Sequence, residues 1–358
     1  MSDAKVTVLM LVYNAEKYIR EAIESILNQT FRDFELLILL DSKTSDSSEN
    51  IIKTYVDKRI RLVENEKSMG LSELRNKGLR LARGEYVAIM DADDISYPNR
   101  LEMQYEYMEK NPDVGIVASW NDVIDGGGKV VESWRPHRSS EDIYYFLNFR
   151  NCLAHCSILL RKDLVVRSGG YDETMRLSED YALYSRVSKI ARISQIQELL
   201  VKWRRHETSI GAKNRNELIE RANSVVTDNL EHLAEKKIDD RILCLIRNNF
   251  DKINYHDLET VTKNQVLFSI QLVNEINEKI IHNAPHGLNK NKVRKISQRK
   301  LVNYIYLAAL KGGILGSVGC LTKCVKGNAS VKMRIMMLVV YRYLTYRIRK
   351  RRPCTQSQ

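Results

Sequence analysis

Three carboxylates in four residues, Asp91-Ala92-Asp93-Asp94, directly follow the apolar run Tyr86-Val87-Ala88-Ile89-Met90. A short apolar run closed by an acidic turn reads as a buried strand that delivers its carboxylates at its carboxyl end. Neighbouring carboxylates raise one another's pKa unless a cation lies between them, so the spacing calls for a divalent metal, Mg2+ or Mn2+. A metal held by two or three carboxylates keeps open positions that substrate phosphates fill, which points to a nucleotide or sugar diphosphate. The plainer alternative is a solvated acidic loop capping a helix that starts near Asn99-Arg100. A second candidate is Asp180, at the start of a helix expected over Glu179 to Ile190. Taken alone, its position is explained by the helix dipole, with Ser178 as the cap.

Positioning these groups requires a scaffold, and the pattern of apolar runs supplies one. Val6 to Val12 reads as a buried strand and Asn14 to Thr30 as a helix, whose Tyr18, Ile19, Ala22, Ile23, Ile26 and Leu27 form a single stripe. Leu36 to Leu40, Ile60 to Val63 and Tyr86 to Met90 follow as strands, with helices expected over Ser47 to Asp57 and Ser72 to Arg83. Such alternation specifies an α/β fold, a mostly parallel sheet with helices on both faces, in which ligands bind beyond the carboxyl ends of the strands. Asp41 and Asp91 both fall there. Further on, Val114 to Ser119 and Ser157 to Arg161 read as strands, and Val123 to Val131, interrupted by Gly126-Gly127-Gly128, as a hairpin. Beyond residue 211 the pattern turns helical and polar. The expected organisation is a catalytic domain over 1–211, a helical region over 212–285 and a basic helical tail over 286–358.

Composition narrows the class. With 358 residues, 44% hydrophobic and 28% charged, the chain is long enough for a catalytic domain and a smaller second region. The six cysteines have neither zinc-ribbon spacing nor a disulfide framework, so reduced thiols and a cytoplasmic location are expected. Val6 to Val12 is followed by polar helix signals, which makes it a strand rather than a signal peptide. No P-loop (G-x-x-x-x-G-K-[ST]) or dinucleotide fingerprint (G-x-G-x-x-G) is present in the sequence. The net charge of +12 conceals a division: from Lys279 onward there are 18 Lys plus Arg and no acid, whereas the preceding residues carry 39 bases against 45 acids. A cationic tail seeks a polyanion. Lys332, Arg334, Arg342, Arg347 and Arg349 to Arg352 flank the apolar run Ile335 to Tyr341, a composition suited to an anionic membrane surface. Residues 279 to 358 lack the pattern of a nucleic-acid module, so nucleic acid is not an expected partner.

Five segments in register, Val8 to Glu16, Ser25 to Thr30, Asn76-Lys77-Gly78, Asp91 to Asp94 and Glu179-Asp180, resemble family 2 glycosyltransferases. These are inverting enzymes of the GT-A fold that use nucleotide-diphospho-sugars, and the likeness is to the bacterial enzymes of surface polysaccharide assembly. The resemblance spans residues 5 to about 210. It implies that Tyr13 and Asp41 hold the nucleotide base, within a donor site that also takes in Asn14 and Glu16. Arg75 lies beside the base and diphosphate, Asp91 faces the ribose, and Asp93 binds the metal, with Asp91 as a further ligand. It also implies that Asp180 is the general base and that His206 closes over the diphosphate and metal, with a surface histidine in a basic loop as the alternative for His206. The chain departs from the family where Leu11 replaces a proline, and where Leu40-Asp41-Ser42-Lys43 replaces an Asp-Asp-Gly-Ser run. Asp41 retains the second carboxylate of that run. The expected reaction moves a sugar from a UDP-sugar to a glycan or lipid-linked acceptor, at the inner face of a membrane to which the tail attaches the enzyme peripherally. The rival is a non-catalytic protein that binds nucleotide sugar or a polyanion. His155 is expected to be a core histidine, with lining the acceptor site as the alternative, and Trp120 and Trp134 to pack under the hairpin, with stacking on a sugar as the alternative role for the two indoles.

Overall fold

The computed structural model describes residues 4–207, 209–251 and 263–301, so the basic segment 331–352 lies outside the described residues. Those up to Leu147, together with Asn151–Val225 and Pro285–Leu288, form one compact unit. Asn148–Arg150, Val226–Ala284 and residues from Asn289 form the second.

The first unit begins with β1 (Val6–Val12), α1 (Ile19–Leu27), β2 (Phe34–Leu40), α2 (Ser48–Lys53), β3 (Ile60–Glu64), α3 (Leu71–Leu81) and β4 (Tyr86–Asp91). β1 pairs in parallel with both β2 and β4, and β2 with β3. Every side chain of β2 is buried, as a strand covered on both faces requires. α1 buries Ile19, Ala22, Ile23 and Ile26, the stripe expected from its periodicity, but starts five residues later than expected. The reason is residues 14 to 18, which form a braced loop: Asn14 takes a positive φ of 47°, and Glu16 N–H donates to Asp46 at 2.8 Å.

The chain continues through β5 (Ile95–Ser96), α4 (Arg100–Lys110), β6 (Val114–Ile124), β7 (Val130–Trp134), α5 (Ser140–Phe146), a 3-10 turn at His155–Ser157, β8 (Leu159–Arg161), α6 (Lys162–Arg167), α7 (Glu179–Val187) and β9 (Arg192–Arg204). The nine strands described form one sheet in the order β3-β2-β1-β4-β8-β6-β9-β5, with β7 paired to β6. Through β3, β2, β1 and β4 the sheet is parallel. Beyond β4 it is mixed: β8 is antiparallel to β4 and β6, and β9 runs parallel to β6. The expected hairpin is present as β6–β7, with Gly128 at φ 86° in its turn, a conformation that favours glycine. α8 (Ile210–Lys213) and the start of α9 (Arg215–Ala234) complete the unit.

In the second unit, the remainder of α9 joins α10 (Asp240–Asp251), α11 (Lys263–His282) and helical residues 290–301. Leu230, Ile242, Ile246, Ile270, Val273, Ile276 and Ile280 are buried, and Lys279 pairs with Glu235 at 2.5 Å. None of the described helices is long and apolar enough to cross a membrane.

Candidate active site at the carboxyl ends of the parallel strands

Strand register brings the first group of expected residues together. Leu11 of β1 stands opposite Asp91 of β4, Val12 stands opposite Leu40 of β2, and Asp41 N–H donates to the Val12 carbonyl at 2.9 Å. Tyr13, Asp41 and Asp91 therefore emerge at one sheet edge. Tyr13 is 60% exposed, leaving its ring available for stacking, and Asp41 is buried, accepting from Lys43 N–H at 2.8 Å and from Ser68 Oγ. Asn14 and Glu16 are in the same loop, yet their side chains brace it: Asn14 Oδ1 accepts from Ser45 N–H at 2.8 Å and Glu16 Oε2 from Ser47 N–H at 2.9 Å.

The second group converges from α3, the β4 turn and α7. Arg75 is buried and ion-paired to buried Glu179, with the charges of Asp91 and Asp180 close enough to act on its guanidinium. Asp180 accepts from Asn151 Nδ2 at 3.0 Å. Burial first, and the neighbouring Glu179 charge second, push its carboxyl up to about 6. The residue before this pair, Ser178, is held in the left-handed region at φ 62°, and its hydroxyl donates to the Leu218 carbonyl rather than capping α7. A serine in that conformation costs on the order of 1–2 kcal/mol. Backbone strain of this kind clusters where side chains must be aimed.

Asp93 lies against His206, whose Nε2 is 2.8 Å from Asp93 Oδ2. Asp91 is raised to about 6, by burial and then by the charge of Asp93. Carboxylate oxygens with one imidazole suit a hard divalent cation such as Mn2+ or Mg2+, and the Glu179, Asp91 and Asp180 carboxylates around Arg75 add to the negative field. Among the described residues, the group whose donor atoms all lie within 4.8 Å of one another is Asp91, Asp94 and Cys156, not Asp91, Asp93 and His206. That group nonetheless fits such a metal less well. Asp94 Oδ1 already accepts from Arg204 N–H at 2.7 Å, and burial pushes the Cys156 thiol far up, toward its neutral form.

Three buried residues at this site were not among the sequence expectations. Arg100 is fully buried behind the acidic turn, donating to the Ile89 carbonyl at 2.8 Å, Ser96 Oγ at 3.0 Å and Gln104 Oε1 at 3.1 Å. Arg204, 2% exposed, donates from Nε to the Asp93 carbonyl at 2.7 Å, from Nη1 to the Asp125 carbonyl at 3.3 Å and from Nη2 to Glu21, while its guanidinium covers the Tyr18 ring at 4.5 Å. Asn121 is buried in β6. The Asn76-Lys77-Gly78 segment serves the frame: Asn76 bridges the Tyr171 backbone and Glu173, Lys77 donates to Asn65 Oδ1 at 2.6 Å, and Gly78 sits against Leu9 where a Cβ would clash at 2.5 Å. His155 is half-buried, bonded to Tyr184 and Tyr171 and driven neutral by burial and by Arg75, and it also lines a cavity beside Asp91.

Residues 7–166 match the family model "Glycosyl transferase family 2". A glycosyltransferase of Methanocaldococcus jannaschii, MJ1057, is 38% identical over 209 residues, 57% of this chain and 72% of that protein. The O-antigen biosynthesis glycosyltransferase WbnJ of Escherichia coli is 32% identical over 57% of this chain and 81% of its own length. The amylovoran biosynthesis glycosyltransferase AmsE of Erwinia amylovora is 31% identical over 55% and 75%. In three dimensions the chain is similar to S. aureus TarS 1-349, solved in complex with UDP-GlcNAc, with a TM-score of 0.55 at 17% identity over 86% of this chain and 92% of that one. The architecture is GT-A, and sequence identity carried across most of a relative's length makes this enzyme a member of glycosyltransferase family 2.

Proposed function

We propose that the enzyme transfers a sugar, with inversion, from a UDP-sugar to a glycan or lipid-linked acceptor in surface polysaccharide assembly. The observation that carries this reading is Asp180: a recessed carboxylate with a raised pKa, next to the Arg75–Glu179 pair and electrostatically linked to Asp91. Tyr13 and Asp41 take the base, the former by its exposed ring and the latter by its carboxylate. Arg75 offers positive charge to the diphosphate. Asp180 accepts the proton of the acceptor hydroxyl as that oxygen bonds to the anomeric carbon and the bond from that carbon to the diphosphate breaks. Asp91, Asp93 and His206 would hold Mn2+ or Mg2+, which when bound neutralises the departing diphosphate. No second acid is required for that leaving group.

Relatives named for O-antigen and amylovoran biosynthesis support the polysaccharide setting, and a fold neighbour solved with UDP-GlcNAc supports a uridine nucleotide. Calorimetric titration of UDP with and without Mn2+ tests the donor assignment. Wild type binds in a metal-dependent way and Asp93→Ala does not; absence of UDP binding, with dTDP or GDP binding instead, would reassign the base.

A further inference from the structure

A cavity of about 460 Å3 opens on the side of Asp91 that faces β6, β7 and β9, with Asn121, Glu132, Trp134, Trp203 and Arg205 in its wall. Its volume falls within the roughly 300–1,000 Å3 of small-ligand pockets. Asp91 is shared with the proposed donor site, whereas Tyr13 and Asp41 lie outside this wall. We propose that this cavity is the acceptor subsite, shaped for a neutral saccharide ring that stacks on an indole and donates a hydroxyl to Asn121. The inference rests on the transfer reading above, in which the acceptor meets the donor where Asp91 and the proposed base Asp180 act on each other; Asp180 itself is outside this wall.

Asn121 supplies the first argument. It is 1% exposed, and its Oδ1 has no hydrogen-bond partner among the described residues, while Nδ2 makes one long contact of 3.5 Å to the Asp122 carbonyl. Buried acceptors are almost always satisfied, and one left open in a cavity wall awaits a donor. A sugar hydroxyl is such a donor, and can accept in return. The second argument is the aromatic pair. Trp134 stands directly opposite Asn121 in the β6–β7 ladder, which puts the two side chains on one face. Trp203 follows two residues after Val201, the β9 partner of Asn121. A guanidinium backs one face of each indole, Arg138 at 5.0 Å from Trp134 and Arg205 at 5.5 Å from Trp203, which fixes the rings as flat apolar plates. Such plates match the C–H face of a pyranose. Glu132 and Arg205, 3.5 Å apart, balance each other's charge and leave polar atoms for further hydroxyls, an arrangement that favours a neutral ring over an anion.

Saturation-transfer NMR with methyl glycosides of glucose, galactose, mannose and N-acetylglucosamine, with and without UDP and Mn2+, tests this directly. At least one glycoside binds wild type. Asn121→Ala and Trp134→Ala each weaken that binding tenfold or more, Trp134→Phe retains most of it, and UDP affinity stays within twofold throughout. UDP binding with no glycoside binding to wild type would overturn the subsite, as would glycoside affinity unchanged in both alanine variants. Glycoside binding that depends on Trp134, in a protein that binds no nucleotide, would keep the saccharide site and strike the donor reading instead.

Discussion

Asp180 stores a conflict between stability and chemistry. Its folded pKa of about 6 lies above the ordinary 3.8 because burial and Glu179 disfavour the charge. A raised folded pKa means that the folded state holds the proton more tightly. This contribution to stability is therefore complete below about pH 4 and is lost as pH rises through 6. Above that, the ionised carboxylate costs up to about 3 kcal/mol, the free-energy equivalent of the shift. Asp180→Asn should accordingly raise the melting temperature at about pH 7.5 and leave it unchanged near pH 4, which scanning calorimetry at both values reads. The same substitution should lower transfer by roughly 10²–10⁴, the range for a lost general base, with UDP affinity intact. In wild type, the rate should climb about tenfold per pH unit below 6 and level off above it; a flat profile from 5 to 8 would remove Asp180 as the base. The carboxylates were legible in the sequence because each closes a strong local pattern, an apolar strand for Asp91 and Asp93 and a helix start for Asp180. Arg100, Arg204 and Asn121 were not, since a charged or polar residue reads locally as surface and only tertiary packing shows it to be interior.

At the level of elements, Arg204 is a latch joining the end of β9 to the acidic turn, to α1 and to the β6–β7 turn. Arg204→Ala should weaken Mn2+-dependent UDP binding about tenfold, because the Asp93 backbone loses the bond that fixes its carboxylate beside His206. Arg204→Lys should restore little, as an ammonium cannot reproduce a planar fork with several fixed donors. Undiminished affinity in the alanine variant would show that the turn holds its own shape. Gly78→Ala tests the frame differently: its new Cβ would press on the Leu9 methyl groups, so a loss of about 1–3 kcal/mol is expected in a denaturant titration. Most of the parallel half of the sheet could be read from the sequence because β1, β2 and β4 are nearly unbroken apolar runs. β9 could not, although it is the longest strand described, because polar residues interrupt it and three register shifts against β6 break the period of two. α5 carried a readable signal that the apolar periodicity passed over, the reciprocal Ser139–Asp142 capping box.

For the whole molecule, the distribution of charge matters more than its sum. All 18 bases from Lys279 onward stand without a single acid, against a net −6 for the residues before them. Anionic lipid attracts cations near its surface by about 1 kcal/mol each, so engaging even a handful of these bases would hold the enzyme against a membrane. None of the described helices is long and apolar enough to cross a bilayer. The proposed acceptor gives the attachment a purpose, since a lipid-linked glycan is confined to the surface that the tail would seek. The full chain should therefore float with phosphatidylglycerol-containing liposomes at low salt and stay in solution with zwitterionic ones. Salt separates this from apolar insertion, because raising ionic strength toward 1 M shortens the Debye length to about 3 Å and should release an electrostatically bound protein. Retention at high salt would assign the attachment to the apolar run Ile335 to Tyr341 instead. A chain fully soluble beside anionic liposomes would leave the basic segment without a membrane role.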